Sequence, residues 1–159
     1  MSVPGEPKEL YSLLIPLRVE RLLVPRMCVA EVIAFADATR NREAELPDWF
    51  LGTIEWNNRR VPVVSFDGPM SEERKGRRNR TRVVVFHAIT PEIRGGFYGI
   101  LTQGFPQLVR VNPDVLGLDT EQGLPADFPA LCRARMIHEF PLIPDVERLE
   151  QMIGAVPLQ

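Results

Sequence analysis

The segment that most constrains the fold is residues 50–66, FLGTIEWNNRRVPVVSF, in which two apolar runs flank the pair Asn57-Asn58. Asparagine tolerates a positive φ better than other non-glycine residues, so this pair can close a two-residue turn. The segment therefore predicts a β-hairpin. Its turn fixes the register, with Trp56 opposite Arg59 and Gly52 opposite Val63.

In that register the hairpin has one apolar face and one polar face. Glu55 and Arg60 oppose each other on the polar side. Pro62 has no N–H to donate, so we expect any further strand pairing at Pro62 to be absent or bulged. The hairpin is predicted to pack on a core from one side only, through Phe50, Ile54, Trp56, Val61 and Val63.

Proline is frequent and evenly spread, with 15 prolines in 159 residues, which suits short strands joined by turns better than a helical bundle. The formal net charge of −2 gives no global basic field, so a nucleic-acid role would need a local patch. Cys28 and Cys132 lack CxxC spacing and are interpreted as reduced structural thiols. No basic leader and no apolar run of about 20 residues is present, so we expect a cytoplasmic protein without direct membrane insertion.

Short strands are predicted along most of the chain, with a helix at the end. Asp145 can cap a helix over residues 146–153, with Gly154 as its stop. Asn112 can open a turn before Pro113. The predicted extended segments are residues 12–17, 21–25, 27–35, 81–89, 97–102, 105–111 and 132–140. This pattern predicts an all-β protein built as a small barrel, with a short C-terminal helix.

Residues 67–80, DGPMSEERKGRRNR, mark the sharpest change of composition in the chain. Turn residues and a dense charge run predict an exposed loop, and we expect residues 70–80 to be mobile and dispensable for folding. The basic residues of this stretch could contact phosphates. A nucleic-acid-binding β-barrel module that uses residues 72–82 is therefore one alternative function.

No arrangement typical of catalysis is present. The GxSxG, GxxxxGK[ST] and HExxH motifs are all missing. Structural zinc sites usually draw their ligands from close pairs, and His87, His138, Cys28 and Cys132 form no such pair. We therefore predict no catalytic residue, no cofactor and no metal. A small enzyme with a site around His87 or His138 is kept as a second alternative.

Several short motifs follow one another in a fixed order. After the strand at residues 12–17 come Val29-Ala30-Glu31-Val32, the hairpin at residues 52–64 with Val61-Pro62-Val63-Val64, the strand at residues 82–86, Gly99-Ile100-Leu101 and the tail IPDVERLEQMI at residues 143–153. Their order and spacing resemble the CheW-like family of chemotaxis adaptor domains. The resemblance covers residues 11–153 as one domain, with a polar lead at residues 1–10 and a tail at residues 154–159.

The resemblance implies two interlocked five-stranded SH3-like barrel subdomains around a shared core. It also implies a non-enzymatic adaptor that couples methyl-accepting chemoreceptors to the regulatory domain of a CheA-type histidine kinase. Three positions depart from the family pattern, because Asn57 stands at the usual arginine of the hairpin, Asn58 at the turn glycine and Gln103 at the usual aspartate. Such departures make the chain similar to divergent members that serve chemosensory control of type IV pilus twitching motility.

The resemblance also indicates where partners bind. A β-branched residue and a carboxylate two positions apart in an extended segment point to the same face, so Val29 is expected to offer apolar contact beside the charge of Glu31. If the core cannot take all of Trp49, Phe50 and Trp56, one aromatic ring remains for a partner. The predicted protein-binding residues are Val29, Glu31, Gly52, Trp56, Asn57, Arg59 and Val83.

Overall fold

A computed structural model describes residues 9–35, 38–40, 45–66, 80–126 and 128–157, and within these ranges the backbone is mainly extended. The elements in chain order are β1 (Leu10–Pro16), β2 (Arg21–Pro25), a 3-10 helix (Arg26–Cys28), β3 (Val29–Ala34), β4 (Phe50–Trp56), β5 (Arg59–Val64), β6 (Arg82–His87), β7 (Phe97–Thr102), β8 (Gln107–Val111), β9 (Gly117–Asp119), β10 (Ala130–Arg135), β11 (Leu142–Pro144) and α1 (Val146–Gly154). The expected mobility of residues 70–80 concerns residues that lie, except for Arg80, outside the described ranges.

The hairpin predicted at Asn57-Asn58 is confirmed. Both asparagines have positive φ, 48° at Asn57 and 58° at Asn58, as a two-residue turn that follows the twist of its strands requires. Trp56 pairs with Arg59, and the predicted register continues to Gly52 opposite Val63. The pairing of β5 with its other neighbour, β7, begins at Val63, directly after Pro62, as the missing proline N–H demands.

The prediction of a one-sided hairpin is wrong at its far end. A bulge between Phe50 and Gly52 places Phe50 opposite Val64 and turns Phe50 to the other face of the sheet. Phe50 and Val64 pack together in one core, whereas Ile54 and Val63 pack in another. Both faces of the hairpin therefore carry buried apolar side chains.

The strands form two sheets, which confirms an all-β fold of two subdomains. The five-stranded sheet has the order β3-β6-β7-β5-β4, and the second sheet has the order β8-β1-β2-β11-β10-β9. The second sheet holds six strands where the resemblance implied five, because the short strand β9 adds to the edge of β10. Neighbouring strands are antiparallel except at β5–β7 and β2–β11.

Three hydrophobic clusters are found among the residues that the structure describes. The five-stranded sheet has one cluster on its inner face, with Ile54, Val61, Val63, Val83, Val85 and Leu101. The six-stranded sheet encloses a smaller one, with Leu14, Leu23, Val111 and Ala134. The largest lies between the sheets and under α1, and it includes Ile15, Leu22, Val84, Phe86, Ile100, Leu142, Leu149 and Ile153. This shared core joins the two subdomains, as the resemblance implied.

Local signals at the ends of elements account for most of the boundaries. Asp145 caps α1 as predicted, since its Oδ1 accepts from the Arg148 N–H at 3.1 Å. Asn112 Oδ1 accepts from the Asp114 N–H at 2.8 Å and so opens the expected turn. The strand predicted over residues 132–140 is wrong beyond Arg135, because Met136 N–H bonds to the Glu139 carbonyl and closes a turn. The start of the segment at residues 27–35 is a 3-10 helix before β3 begins.

Candidate functional site

Three of the predicted binding residues meet at the turn end of the hairpin. Trp56 Nε1 donates to Glu31 Oε2 at 2.6 Å. The indole packs edge-on against Phe97, with ring centroids 4.9 Å apart. The guanidinium carbon of Arg59 lies 5.2 Å from the centroid of the same Phe97 ring, and Arg59 also donates to the Gly95 carbonyl at 3.3 Å. We call these four side chains, Glu31, Trp56, Arg59 and Phe97, the Trp56 surface.

The curvature of the five-stranded sheet brings the Trp56 surface together. Glu31 lies on β3 and Trp56 on β4, and these strands are the two opposite edges of the sheet. Their hydrogen bond shows that the sheet curls far enough for side chains of its two edge strands to meet at this end. Phe97, at the start of β7, fills the space beneath the contact and packs against the inner cluster. Because aromatic contacts and a charge-assisted hydrogen bond hold these groups, the surface is rigid before any partner arrives.

The three aromatic residues around the hairpin differ in burial and in contacts. Phe50 is buried in the shared core. Trp49 is half-buried and stacks on Phe66 at a centroid distance of 6.0 Å. Trp56 is also half-buried, but it lies at the turn end of the hairpin beside exposed Glu31 and Arg59. Trp56 is therefore the ring of the three that best suits contact with a partner.

The expectation that Val29 and Glu31 share a face is wrong. A bulge lies between them, so that Val29 pairs with Phe86 and Glu31 pairs with the next residue, Val85. Phe86 faces the shared core and Val85 faces the inner cluster, so the bulge sends the two β3 side chains to opposite sides. Val29 is half-buried and packs against the shared core. Of these two residues, only Glu31 belongs to the Trp56 surface.

The other predicted site residues divide between surface and interior. Asn57 is exposed in the turn next to Trp56 and extends the Trp56 surface. Val83 is fully buried in the inner cluster. Gly52 is buried against the segment at residues 38–40, where Thr39 and Thr53 exchange two backbone hydrogen bonds of 2.8 and 2.9 Å. Val83 and Gly52 build the fold beneath the surface, and we leave them out of the proposed contact.

The groups considered for catalysis lie apart. His87 is exposed at the end of β6, with its ring 5.4 Å from Phe97, and His138 is exposed in the turn between β10 and β11. Burial, followed by the negative charge of Glu150, raises the pKa of the Cys28 thiol, which disfavours a reactive thiolate. Within the described ranges, no three potential ligands are close enough together to hold a metal ion. In the same ranges, the helices are too short or too polar to cross a membrane.

The basic stretch at residues 72–82 is described only at its end, since residues 67–79 lie outside the described ranges. Arg82 is engaged within the fold, because its guanidinium carbon lies 4.5 Å from the centroid of the Phe105 ring. It also donates to the Thr81 carbonyl at 2.9 Å. Arg82 is therefore a packed residue rather than part of a phosphate-binding loop.

Two buried charged residues escaped the sequence reasoning. Glu150 of α1 is fully buried, and its carboxylate accepts from the Ile89 and Thr90 N–H groups and from the Thr90 hydroxyl, at 2.7 to 3.1 Å. Arg133 of β10 is buried and forms a bidentate pair with Glu20 at 2.8 and 3.1 Å. Hydrogen bonding to Glu20 raises the pKa of Arg133. These two residues stabilise the fold and do not form a functional site.

A signal for Glu150 was present in the sequence. Val146, Leu149, Glu150 and Ile153 follow the spacing of one helical face, so a carboxylate stands in the middle of an apolar stripe. A charge at such a position needs hydrogen-bond donors nearby. Arg133 gave a weaker signal, since apolar and polar residues alternate only imperfectly along its strand.

Gln103, at one of the positions that depart from the resembled family, lies where the two sheets approach. Its backbone N–H donates to the Pro16 carbonyl at 2.9 Å, which connects the end of β7 to the end of β1. Its side-chain amide nitrogen is buried, and no acceptor for it is found among the residues that the structure describes. Gln103 is thus a connection between sheets and not an exposed contact.

Comparison with known proteins gives a consistent result. The family model described as the CheW-like domain matches residues 12–152. Among solved structures, the chain is similar to the scaffolding protein TtCheW from Thermoanaerobacter tengcongensis, with a TM-score of 0.65 and 13% sequence identity. The alignment covers 86% of this chain and 88% of that chain. At this identity the likeness shows a shared fold. No curated protein matches the chain.

Proposed function

Because the chain belongs to the CheW-like domain family, we propose that it is an adaptor that couples methyl-accepting chemoreceptors to the regulatory domain of a CheA-type histidine kinase. The family consists of non-catalytic scaffolds, and its fold supports a role in chemotaxis. An adaptor of this kind works in the cytoplasm, where it needs only surfaces for its partners. It requires no cofactor, nucleic acid or membrane insertion.

The contact between Trp56 and Glu31 carries the proposal. Two residues that are 25 positions apart, and that were both expected to bind a partner, are held by one hydrogen bond between the two edge strands of a curled sheet. The Trp56 surface offers a partner an aromatic edge between a negative group and a positive group. Tryptophan and arginine are the side chains most enriched among residues that dominate protein–protein binding, and the flanking charges would set the orientation of the partner.

We expect Glu31→Arg to weaken capture of the kinase or receptor by about 1 kcal/mol or more, roughly a fivefold rise in Kd. The cause is the reversed charge at the edge of the Trp56 surface. A pull-down from the native cytoplasm identifies the kinase and receptor, and titration calorimetry with the purified kinase regulatory domain gives the affinity. A pull-down that recovers neither class of partner would contradict the proposal.

Two further variants separate contact from stability. Trp56→Phe removes the same hydrogen bond, worth about 0.5–1.5 kcal/mol, without changing a charge, and it also loses part of the packing on Phe97, so it should lower the free energy of unfolding at least as much as Glu31→Arg. Glu55→Arg makes the same charge change at an exposed residue of β4 that is not part of the Trp56 surface, and should leave the affinity unchanged. Equal capture by Glu31→Arg and Glu55→Arg would place the interface elsewhere.

The output of the pathway is a finer part of the proposal, namely control of type IV pilus twitching motility. The departures at Asn57, Asn58 and Gln103 support a divergent adaptor, and Asn57 changes the chemistry of the Trp56 surface itself. A strain that lacks the protein should lose expansion of its twitching zone between agar and plastic, while flagellar swimming stays normal. Loss of swimming with normal twitching would assign the protein to the flagellar pathway instead.

A further inference from the structure

A groove of about 630 Å³ lies beside the Trp56 surface, between the start of β5, the turn at residues 91–95 and the end of α1. Its rim carries Arg59, Arg60 and Arg94 and one acid, Glu92. The groove thus holds two net positive charges (three arginines less one glutamate), although the whole chain has a formal net charge of −2. Its volume falls within the usual range of binding clefts, about 300–1,000 Å³.

The bottom of the groove is apolar. Pro62, Ile93, Ile153 and Val156 line it, and each is buried. The three arginines at the rim are exposed. An occupant that satisfies both parts must therefore place negative groups along the rim and an apolar side chain at the bottom.

The groove is formed before any ligand binds. The end of α1 touches the turn at residues 91–95 so closely that a Cβ on Gly154 would lie 2.7 Å from the Glu92 carbonyl oxygen. Ile93 and Ile153 belong to the shared core, which fixes the bottom in place. A preformed groove loses little conformational freedom when it binds a ligand.

We propose that this groove binds an acidic peptide segment of a partner protein, with an apolar residue of that segment seated over Ile93 and Ile153. The planar fork of arginine pairs with carboxylates through two hydrogen bonds, which favours aspartate and glutamate at the rim. The apolar part of the lining is aliphatic, and none of the described residues that line the groove is aromatic, so they offer bases no ring to stack on, and a single-stranded nucleic acid is disfavoured. This interaction differs from the kinase and receptor contact proposed above, although Arg59 borders both.

The test uses a fluorescein-labelled peptide in which a phenylalanine is flanked on each side by two glutamates, with both termini blocked. Fluorescence polarisation, with the full chain titrated up to millimolar concentration, should show saturable binding that weakens as salt is added. Arg94→Glu should weaken this binding about tenfold. Arg94 lies outside the Trp56 surface, so the result is independent of the adaptor proposal.

Matched controls make the result specific. Arg110→Glu reverses another exposed arginine, on β8, which pairs only weakly with exposed Glu9 at 3.7 Å, and should change the affinity less than about twofold. A peptide with glycine in place of phenylalanine should bind more weakly, and one with lysine in place of glutamate should not bind. The proposal is overturned by the absence of saturable binding, by equal effects of Arg94→Glu and Arg110→Glu, or by a labelled oligothymidine that binds through Arg94 more tightly than the peptide.

Discussion

Replacing Glu150 with alanine is expected to lower the free energy of unfolding by about 3–5 kcal/mol. The carboxylate accepts from two backbone N–H groups, those of Ile89 and Thr90, in the turn after β6. Alanine leaves both donors without an acceptor in a part-buried site, and it leaves a cavity between α1 and that turn. Urea unfolding followed by far-UV circular dichroism measures the loss.

Two comparisons locate the cause of that loss. Gln151→Ala removes the neighbouring side chain of α1, which is exposed, and should change stability by less than about 0.5 kcal/mol. Glu150→Gln keeps one acceptor oxygen, so its free energy of unfolding should lie between those of Glu150→Ala and Gln151→Ala. If Glu150→Ala and Gln151→Ala unfold at the same urea concentration, the carboxylate does not fasten the helix to the sheet.

Replacing Gly52 with alanine is expected to cost about 3 kcal/mol, from two sources that add. The first is the backbone, since Gly52 has a φ of 129°, which side-chain-bearing residues rarely adopt. The second is space, since a Cβ there would lie 2.4 Å from the carbonyl oxygen of Thr39. That oxygen belongs to the backbone bridge with Thr53, so it cannot move without breaking hydrogen bonds. Differential scanning calorimetry should show the drop in Tm.

Other glycines provide the controls. Gly96 also has positive φ, at 80°, but no atom lies within 4 Å of its added Cβ, so Gly96→Ala isolates the backbone cost of about 1 kcal/mol. Gly123 has open space and no unusual φ, and Gly123→Ala should be neutral. If Gly52→Ala kept full stability but lost partner capture, Gly52 would be a contact residue and not a structural one.

The sequence predictions that the structure confirms depend mostly on interactions between neighbouring residues. Asn57 and Asn58 favour positive φ wherever they stand, so the turn and its register followed from neighbouring residues alone. The cap at Asp145 and the turn at Asn112 are likewise completed within three residues. The CheW-like arrangement of segments gave the two-subdomain plan, because motif order reflects a whole fold.

The predictions that failed on side-chain direction depend on distant parts of the chain. The bulges before Gly52 and before Glu31 add one residue to a strand, and the need for them arises only when the sheet curls and its edges must meet. The Trp56–Glu31 contact exists for the same reason, since it joins β3 and β4 across the closure of a sheet in which three strands separate them. Periodicity along one strand contains no information about closure.

The central strands of the five-stranded sheet have apolar side chains on both faces. Val83 and Val85 point into one cluster while Val84 and Phe86 point into the other. A strand with one solvent-exposed face resists a shift of its pairing register by one residue, because the shift would expose its apolar side chains to water. Here a slip of β6 by one residue would exchange valines within the strand, but it would also carry Arg82 or His87 from an end of the strand into the core. Shape contributes at Gly99, since a Cβ there would lie 2.6 Å from Val83 Cγ1. The alignment of β6 is thus set at the ends of the strand, by a guanidinium and an imidazole that cannot replace a buried valine or phenylalanine without a large desolvation cost.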